Sequence, residues 1–244
     1  MSIAVPHTAM VLCAGIGSRM RPLTEKTPKP LIKVGNKALM DWSLNPLIEA
    51  GVKRIIVNLH WLPEQIEAHL KDRTDVEIIF SDERGERLET GGGLAKARPL
   101  LGDDPIFVVN TDAFWSSGSP QPFKQLAADY EGGIQLLTAR RDNCLGFPGA
   151  GDFYPEADGK VSFRGGRDRA PLAFAGVRIT QPSFYDHEDV RAFSALDVWR
   201  KQVLRYTMLE EFWLHVGAPQ SVADAEFWLM CHGRAPIKWP KGAT

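Results

Sequence analysis

Hydrophobic and polar positions in the first half of the chain form short apolar runs separated by amphipathic stretches. The apolar runs predict four buried strands, at residues 9–13, 54–59, 76–80 and 105–110. The amphipathic stretches predict three intervening helices: one at 39–50 that kinks or starts late at Pro46 and stops at Gly51, one from Pro63 through Leu70, and one at 91–101. Strands that alternate with helices indicate an α/β fold with a parallel sheet and helices on both faces.

The second half of the chain has shorter apolar runs and more glycine. Its alternating positions predict strands at 134–140, 152–154, 161–163, 173–180 and 212–216. Helical spacing predicts helices at 195–206 and 219–231, and residues 233–244 are predicted to form an irregular tail. We expect a single domain over residues 1–244, built on a Rossmann-like, mixed but mainly parallel sheet flanked by helices.

Composition narrows the classes of function. The 244 residues carry a formal net charge of -1, which argues against a nucleic-acid binder held by bulk positive charge. Three cysteines without metal-binding spacing are typical of reduced thiols in a cytoplasmic protein, and Cys13 is expected in the core. No apolar run approaches ~18 residues and no signal peptide is expected, so we expect a cytoplasmic location and no membrane partner.

A glycine-rich loop with basic residues follows the first predicted strand. Gly15 and Gly17 allow a tight turn that brings backbone N–H groups against a phosphate chain, and Arg19 adds donors suited to phosphate oxygens. Lys29 stands between two prolines, whose stiffness suits a lysine that must be held in place. An ordinary glycine turn with solvated basic residues is the alternative, and the length of the run argues against it.

Three positions are expected to meet at one edge of the sheet. Gly15, Asn58 and Asp112 each follow a predicted parallel strand, and ligands of such sheets sit outside the carboxyl ends of the strands. Asn58 has two open interpretations, which are contact with a nucleotide and capping of backbone groups.

Residues 12–24, together with residues 27–31, resemble the signature of the sugar-1-phosphate nucleotidyltransferases. The resemblance implies a glycosyltransferase-A-like nucleotidyltransferase fold, with a nucleotide-binding half at 8–113 and a sugar-binding half at 114–232. It implies that the loop wraps the phosphates of a nucleoside triphosphate, and that Arg19 and Lys29 act in catalysis. The nucleotide-binding residues implied in this part of the chain are Ala14, Gly15, Gly17, Ser18, Arg19 and Lys29.

A triple glycine at residues 91–93 opens the third predicted helix, where it offers close backbone approach and free N–H donors. A flexible turn is the alternative. In the family this stretch lines the nucleobase and sugar pocket, which implies nucleotide contacts for Glu89, Thr90, Gly91 and Gly92. Residues 88–93 most resemble the branch of the family that uses UTP and N-acetylmuramate 1-phosphate.

A carboxylate follows the fourth predicted strand. Asp112 is placed to hold Mg²⁺ against phosphates, which is also the metal role that the resemblance implies, and Asn110 is implied to contact the nucleotide. A helix N-cap is the alternative for Asp112. The family often carries a second metal-binding aspartate where this chain has His215. Because imidazole is a poorer Mg²⁺ ligand, three roles stay open for His215: contact with a phosphate or bridging water, a structural role, or binding of a softer metal such as Mn²⁺.

On the sugar side, Asp152 and Gly176 resemble acceptor-sugar positions of the family, and a hairpin aspartate and a strand-crossing glycine are equally simple interpretations. The resemblance implies an enzyme that transfers a nucleoside monophosphate, UMP from UTP, to a sugar 1-phosphate with release of pyrophosphate. The alternatives are a guanylyl-, thymidylyl- or cytidylyltransferase for another substrate, and a non-catalytic nucleotide-sugar sensor, which His215 favours.

Overall fold

The computed structural model describes residues 3–232, and the expected irregular tail at 233–244 lies outside the described residues. The strands in the described part of the chain are β1 (Thr8–Leu12), β2 (Lys33–Val34), β3 (Lys37–Ala38), β4 (Arg54–Leu59), β5 (Glu77–Asp82), β6 (Ile106–Asn110), β7 (Ala113–Trp115), β8 (Ile134–Arg140), β9 (Cys144–Leu145), β10 (Phe153–Pro155), β11 (Val161–Phe163), β12 (Leu172–Thr180), β13 (Leu204–Leu209) and β14 (Trp213–His215). The helices are α1 (Leu39–Ala50), α2 (Pro63–Leu70), α3 (Glu89–Leu101), α4 (Gln121–Ala128), α5 (Ala195–Trp199) and α6 (Pro219–His232).

A nine-stranded mixed sheet forms the centre of the molecule. Its path runs β11-β10-β12-β6-β1-β4-β5, and β8 pairs with both β12 and β13. The neighbours β6, β1, β4 and β5 are all parallel, as are β8 and β13. Between these two parallel groups, β12 runs antiparallel to both β6 and β8. The expected α/β fold, with a mixed, mainly parallel sheet flanked by helices, is confirmed.

Helices cover both faces of the sheet because side chains along each strand point alternately to opposite faces. Ala9 and Val11 of β1 belong to the core beneath α1, α2 and α4. Met10, between them, belongs to the core beneath α3 and α5. The central strands β1, β4 and β6 are thus buried on both sides, which explains why they read as continuous apolar runs in the sequence.

A second, three-stranded sheet follows the end of β6, in the order β7-β14-β9. His215 of β14 is paired with Ala113 of β7. The helix α6 packs against this sheet, and its Trp228 stacks on Phe212 with a ring-centroid distance of 5.0 Å. The pairing brings His215 next to Asp112, the residue that precedes β7.

Three predicted elements have a boundary that differs from the structure by two residues or more. The helix predicted at 195–206 ends at Trp199, because the chain then forms β13 and pairs with the distant strand β8. The helix predicted from Gly91 begins two residues earlier, at Glu89, and the strand predicted at 76–80 is shifted to Glu77–Asp82. Pro46 lies inside α1, which nevertheless begins at Leu39 as the apolar spacing predicts.

Candidate active site

A cleft of about 410 Å³ opens beyond the carboxyl ends of β1, β4 and β6. This is the place at which open α/β sheets bind their ligands. Predicted site residues from separate stretches of the chain line it together: Ala14, Gly15, Gly17, Ser18, Arg19, Lys29, Asn58, Glu89, Thr90, Asn110 and Asp112. The other predicted site residues do not line it, and these are Gly91, Gly92, Asp152, Gly176 and His215.

The glycine loop after β1 is shaped by the contacts of Gly17. Its φ of 62° lies in the left-handed region, and a Cβ at this position would lie 2.7 Å from the side chain of Thr24. The Thr24 hydroxyl donates to the carbonyl of Gly17 at 2.8 Å and closes the turn. A Cβ on Gly15, in contrast, would meet no atom within 4 Å. Gly17 is therefore required by the packing of the loop itself, whereas Gly15 leaves open space beside it.

Lys29 and Asp112 form an ion pair in the cleft. Lys29 begins a short 3-10 turn at Lys29–Leu31, between two prolines that hold the backbone as predicted. Its Nζ lies 3.0 Å from Oδ2 of Asp112, and the two side chains are 13% and 22% exposed. The backbone of Asp112 is anchored as well, because its carbonyl accepts from the N–H of Val216 at 2.7 Å. The pair is thus largely shielded from solvent and fixed from two sides.

Basic neighbours keep the Asp112 carboxylate ionised. Burial acts to raise its pKa, but the adjacent His215 imidazole and the Lys29 ammonium act in the opposite direction and prevail. The pKa of Asp112 therefore lies well below its ordinary value. Since Asp112 leads into the strand β7, the alternative interpretation of this residue as a helix N-cap is wrong.

His215 lies beside the ion pair with a fixed ring orientation. Its Nδ1 is 3.1 Å from the carbonyl of Gly146, and because a carbonyl only accepts, this nitrogen carries a proton. Nε2 then faces Oδ2 of Asp112 at 3.6 Å, which is too long for a hydrogen bond. Gly217 makes room for the ring, since a Cβ there would lie 2.6 Å from Cε1 of His215. The surrounding backbone thus directs Nε2 at the carboxylate.

Asn58 uses both ends of its side-chain amide within the protein. Its Oδ1 accepts from the N–H of Cys13 at 2.7 Å, and its Nδ2 donates to Oε1 of Glu83 at 2.8 Å. Of its two predicted roles, binding of backbone groups is the one that these contacts support. Cys13 itself is 1% exposed, and burial raises the pKa of its thiol, as expected for a core residue.

The first two glycines of the triplet pack α3 against the segment that precedes α5. The N–H groups of Gly91 and Gly92 both donate to the carbonyl of Phe193, at 2.9 and 3.4 Å. A Cβ on Gly91 would lie 2.4 Å from the Phe193 ring, and one on Gly92 would lie 1.9 Å from the carbonyl oxygen of Arg191. The expectation that these N–H groups are free is therefore wrong, because a neighbouring segment of the chain already occupies them.

The two predicted sugar-side residues both have partners within the protein. Oδ2 of Asp152 accepts from the N–H of Phe174 at 2.9 Å, and burial raises the pKa of Asp152 in spite of this bond and of nearby Arg164. Gly176 has a φ of 87° at an irregularity in the pairing of β12 with β8. A Cβ on Gly176 would lie 3.4 Å from Cβ of Asn110. Both residues shape β12 near the cleft, and direct contact with a sugar stays a prediction.

Sequence reasoning misses Arg87 and Gly217, which also line the cleft. The guanidinium of Arg87 lies 3.8 Å from the carboxylate of Glu89. Glu89 has a φ of 59°, a left-handed conformation that costs a non-glycine residue about 1–3 kcal/mol. The signal available in the sequence for Arg87 was a basic side chain just before the triple glycine. The signal for Gly217 was weaker, because the need for a glycine there arises from its contact with the ring of His215, which only the structure shows.

Comparison with known proteins identifies the family. Residues 8–145 match the family described as Nucleotidyl transferase. The chain belongs to this family. It is 38% identical, over 232 residues, to an N-acetylmuramate alpha-1-phosphate uridylyltransferase from Caulobacter vibrioides, a match that covers 91% of this chain and 96% of that protein. It is 35% identical, over 227 residues, to a protein of the same name from Neisseria meningitidis, with 89% and 96% covered.

A solved structure supports the same fold for this nucleotidyltransferase. The inositol-1-phosphate CTP transferase from T. maritima matches with a TM-score of 0.77 over 96% of this chain and 100% of that chain. At 16% identity the likeness concerns the fold alone. The predicted family of sugar-1-phosphate nucleotidyltransferases, and the prediction that the chain is an enzyme, are confirmed. Among residues 3–232, no helix has the length and apolar character needed to cross a membrane.

Proposed function

We propose that this nucleotidyltransferase transfers UMP from UTP to N-acetylmuramate 1-phosphate and releases pyrophosphate, as a step of peptidoglycan recycling. The observation that carries the proposal is the Lys29–Asp112 pair, at 3.0 Å, in a glycine-lined cleft at the carboxyl end of β6. The choice of UTP and of the acid sugar rests on the similarity to two uridylyltransferases named for that substrate, which extends over most of both chains.

The proposed reaction is an in-line attack of the sugar phosphate on the α-phosphorus of UTP. A new P–O bond forms from the phosphate oxygen while the P–O bond to pyrophosphate breaks, so no covalent intermediate with the enzyme is needed. The backbone around Gly15 and Gly17 would cradle the phosphates, and Lys29 and Arg19 would offset the negative charge that builds on the reacting groups. Catalysis would then consist of positioning and charge stabilisation.

The site fits one divalent cation held by Asp112. Lys29 and His215 both approach Oδ2 of Asp112, and Oδ1 receives no hydrogen bond from the described residues 3–232. Mg²⁺ is commonly bound through one or two carboxylates, with phosphate oxygens and waters completing its coordination. Within residues 3–232 there is no cluster of three or more His, Cys, Asp or Glu side chains that could hold a metal ion. The substrates would therefore supply most of the ligands of the cation. Mg²⁺ bound there, or Mn²⁺ in its place, would supply positive charge against the phosphates.

Nε2 of His215 faces Oδ2 of Asp112, the oxygen that already pairs with Nζ of Lys29. We propose that Nε2 acts at this point on a phosphate or a bridging water. We further propose that both halves of the chain, 8–113 and 114–232, work as one domain within residues 1–244, because β12 pairs with strands of each half. A cytoplasmic location, where nucleoside triphosphates are available, completes the proposal.

Pyrophosphate release tests the proposed function directly. The purified protein is given Mg²⁺, each of the four nucleoside triphosphates and a panel of sugar 1-phosphates that includes N-acetylmuramate 1-phosphate. Release with UTP and the acid sugar alone is the expected result. Release with GTP and mannose 1-phosphate would replace the substrates and keep the reaction. No release with Mg²⁺ or Mn²⁺, together with intact binding of a nucleotide-sugar, would favour the sensor that His215 suggests.

A further inference from the structure

Glu83 is a buried carboxylate next to the lining of the cleft. It follows β5 directly, and its exposed fraction is 0%. Its backbone is anchored on both sides, because its N–H donates to the carbonyl of Leu59 at 2.7 Å and its carbonyl lies 2.8 Å from Nδ1 of His60. Burial of a carboxylate is costly unless its oxygens are hydrogen-bonded. The partners of those two oxygens therefore indicate what Glu83 does.

The two oxygens of Glu83 connect two walls of the cleft. Oε1 accepts from Nδ2 of Asn58 at 2.8 Å, and Oδ1 of Asn58 accepts from the N–H of Cys13 at 2.7 Å, where the glycine loop begins. Oε2 accepts from the N–H of Leu88 at 3.4 Å, immediately before α3. We call this chain of hydrogen bonds, from Cys13 through Asn58 and Glu83 to Leu88, the Glu83 bridge. It joins segments that lie far apart in the sequence.

The direction of every hydrogen bond in the Glu83 bridge is fixed by chemistry. Both ends are backbone N–H groups, which only donate. Asn58 must therefore turn its oxygen to Cys13 and its NH₂ group to Glu83. The residue in the middle then needs two acceptors and no donor, which is the property of an ionised carboxylate. A glutamine at position 83 lacks it, because one of its two terminal atoms is a donor.

Gly93 gives independent support for the Glu83 bridge. A Cβ at this position would lie 2.8 Å from Oε1 of Glu83 and 3.1 Å from Nδ2 of Asn58. Both distances are shorter than ordinary van der Waals contact, so a larger residue would push the two side chains apart. The third glycine of the triplet is thus explained by the Glu83 bridge, as the first two are explained by contacts with the segment before α5.

We propose that Glu83 is a positioning residue that sets the spacing between the glycine loop and the start of α3. Ala14 and Glu89, the neighbours of the two ends of the Glu83 bridge, both line the cleft that is proposed to hold the nucleotide. The kinetic consequence rests on the proposed function, whereas the Glu83 bridge itself belongs to the protein without substrate. Glu83 acts only through the backbone at Cys13 and Leu88.

Glu83→Gln tests the proposal because it keeps the shape of the side chain and removes a buried charge. Its melting temperature is expected to change little, since the desolvation cost that glutamine avoids offsets the hydrogen bond that it loses. Whichever way the amide of Gln is turned, its NH₂ group faces another donor, either Nδ2 of Asn58 or the N–H of Leu88. Hydrogen–deuterium exchange of the substrate-free protein should therefore be faster in residues 12–15 or in residues 86–93. KM for the nucleoside triphosphate should rise about tenfold, with a smaller change in kcat.

Thr138→Val is the matched control. Thr138 is a buried polar residue of β8 that does not line the cleft, and its hydroxyl donates to the carbonyl of Thr207 at 3.3 Å. This variant should lower the melting temperature without changing KM or the exchange of the two segments. Asn58→Ala provides a second test, because combining it with Glu83→Gln should raise KM no further than Asn58→Ala does alone.

Wild-type exchange in both segments of Glu83→Gln would overturn the inference, and so would a wild-type KM in that variant. An additive effect of Glu83→Gln and Asn58→Ala on KM would also contradict it. If the wild-type protein turns over no substrate pair, the proposed function fails. The exchange measurement needs no substrate, so it still decides whether Glu83 holds the two walls together.

Discussion

Replacing Asp112 by asparagine removes one negative charge from the site and leaves its backbone in place. The carbonyl of Asp112 still accepts from Val216 at 2.7 Å, so the chain beyond β6 keeps its anchor. The amide keeps one oxygen, which can still accept from Nζ of Lys29, but the variant loses the negative charge that Nζ of Lys29 meets at 3.0 Å and that Nε2 of His215 faces at 3.6 Å. It also loses the charged ligand proposed to hold a divalent cation. Asp112→Asn therefore tests the part of the site on which the proposed function depends most.

The effect of Asp112→Asn on rate should exceed its effect on stability. Removing one preorganised electrostatic group costs about 2.7–4 kcal/mol of the reaction barrier, so kcat should fall about 10²–10³-fold. A charge-assisted hydrogen bond contributes about 1.5–3 kcal/mol to the free energy of unfolding. The Lys29–Asp112 bond belongs in that range because its side chains are only 13% and 22% exposed. A hydrogen bond to the neutral amide oxygen retains about 0.5–1.5 kcal/mol of this contribution. The net loss of about 1–1.5 kcal/mol corresponds to a decrease in Tm of about 2–6 °C for a chain of this length.

Pyrophosphate release at saturating UTP and sugar 1-phosphate measures kcat, and circular dichroism measures Tm. Asp142→Asn is the matched control, since that carboxylate is 95% exposed and lies 3.5 Å from Arg141 at the surface. The control should leave both quantities unchanged. A folded Asp112→Asn protein with the wild-type kcat would refute the reasoning, because the reaction would then need neither the ion pair nor a cation on this carboxylate.

The same variant should lose part of the acid sensitivity of folding. Because the pKa of Asp112 is lowered in the folded protein, its contribution to stability is complete above the unfolded-state pKa of about 4 and is lost as the pH falls toward the folded-state pKa. Below pH of about 4, the wild type should therefore lose more stability than Asp112→Asn does. Urea unfolding midpoints across this range measure the difference, and parallel curves for the two proteins would contradict it.

Two further substitutions test separate parts of the structure. Gly92→Ala should lower the free energy of unfolding by about 1–3 kcal/mol, because the new Cβ would lie 1.9 Å from the carbonyl oxygen of Arg191. A denaturation curve equal to that of the wild type would count against this. His215→Asp places a second carboxylate beside Asp112, so it should lower Tm in the presence of a chelator and increase the stabilisation by Mg²⁺. Calorimetry with and without Mg²⁺ measures both, and an unchanged response to Mg²⁺ would show that this position does not face the cation.

The four strands and three helices predicted within residues 8–113 could be found because each carries a local signal, whereas the two-residue strands β2 and β3 carry none and were not predicted. β1, β4 and β6 are continuous apolar runs, and Pro63 marks the first residue of α2. The error at 195–206 has a different origin. Leu204–Leu209 becomes a strand only because β8 offers it a parallel partner, and that partner is not visible in the local spacing. The convergence of Gly15, Asn58 and Asp112 could be predicted, because each follows a parallel strand whose carboxyl end lies at the same edge of the sheet. The place of Lys29 beside them was implied by the family resemblance alone.

The roles of individual glycines were harder to predict, because a glycine leaves space without showing what fills it. At Gly17, Gly91, Gly92 and Gly93 the space is taken by other parts of the protein, so these residues shape the walls of the cleft. Gly15 differs, since a Cβ there would meet no protein atom within 4 Å and its φ is not in the left-handed region.

Gly15→Ala is therefore expected to keep the wild-type Tm and to weaken binding of UTP, because the added methyl group would occupy space that the proposed function assigns to the phosphates. Calorimetric titration of UTP, with a thermal melt of the same sample, measures both effects. Unchanged affinity would mean that the phosphates do not approach the loop at this residue. A lowered Tm would mean that Gly15, like the other four glycines, serves the packing of the protein.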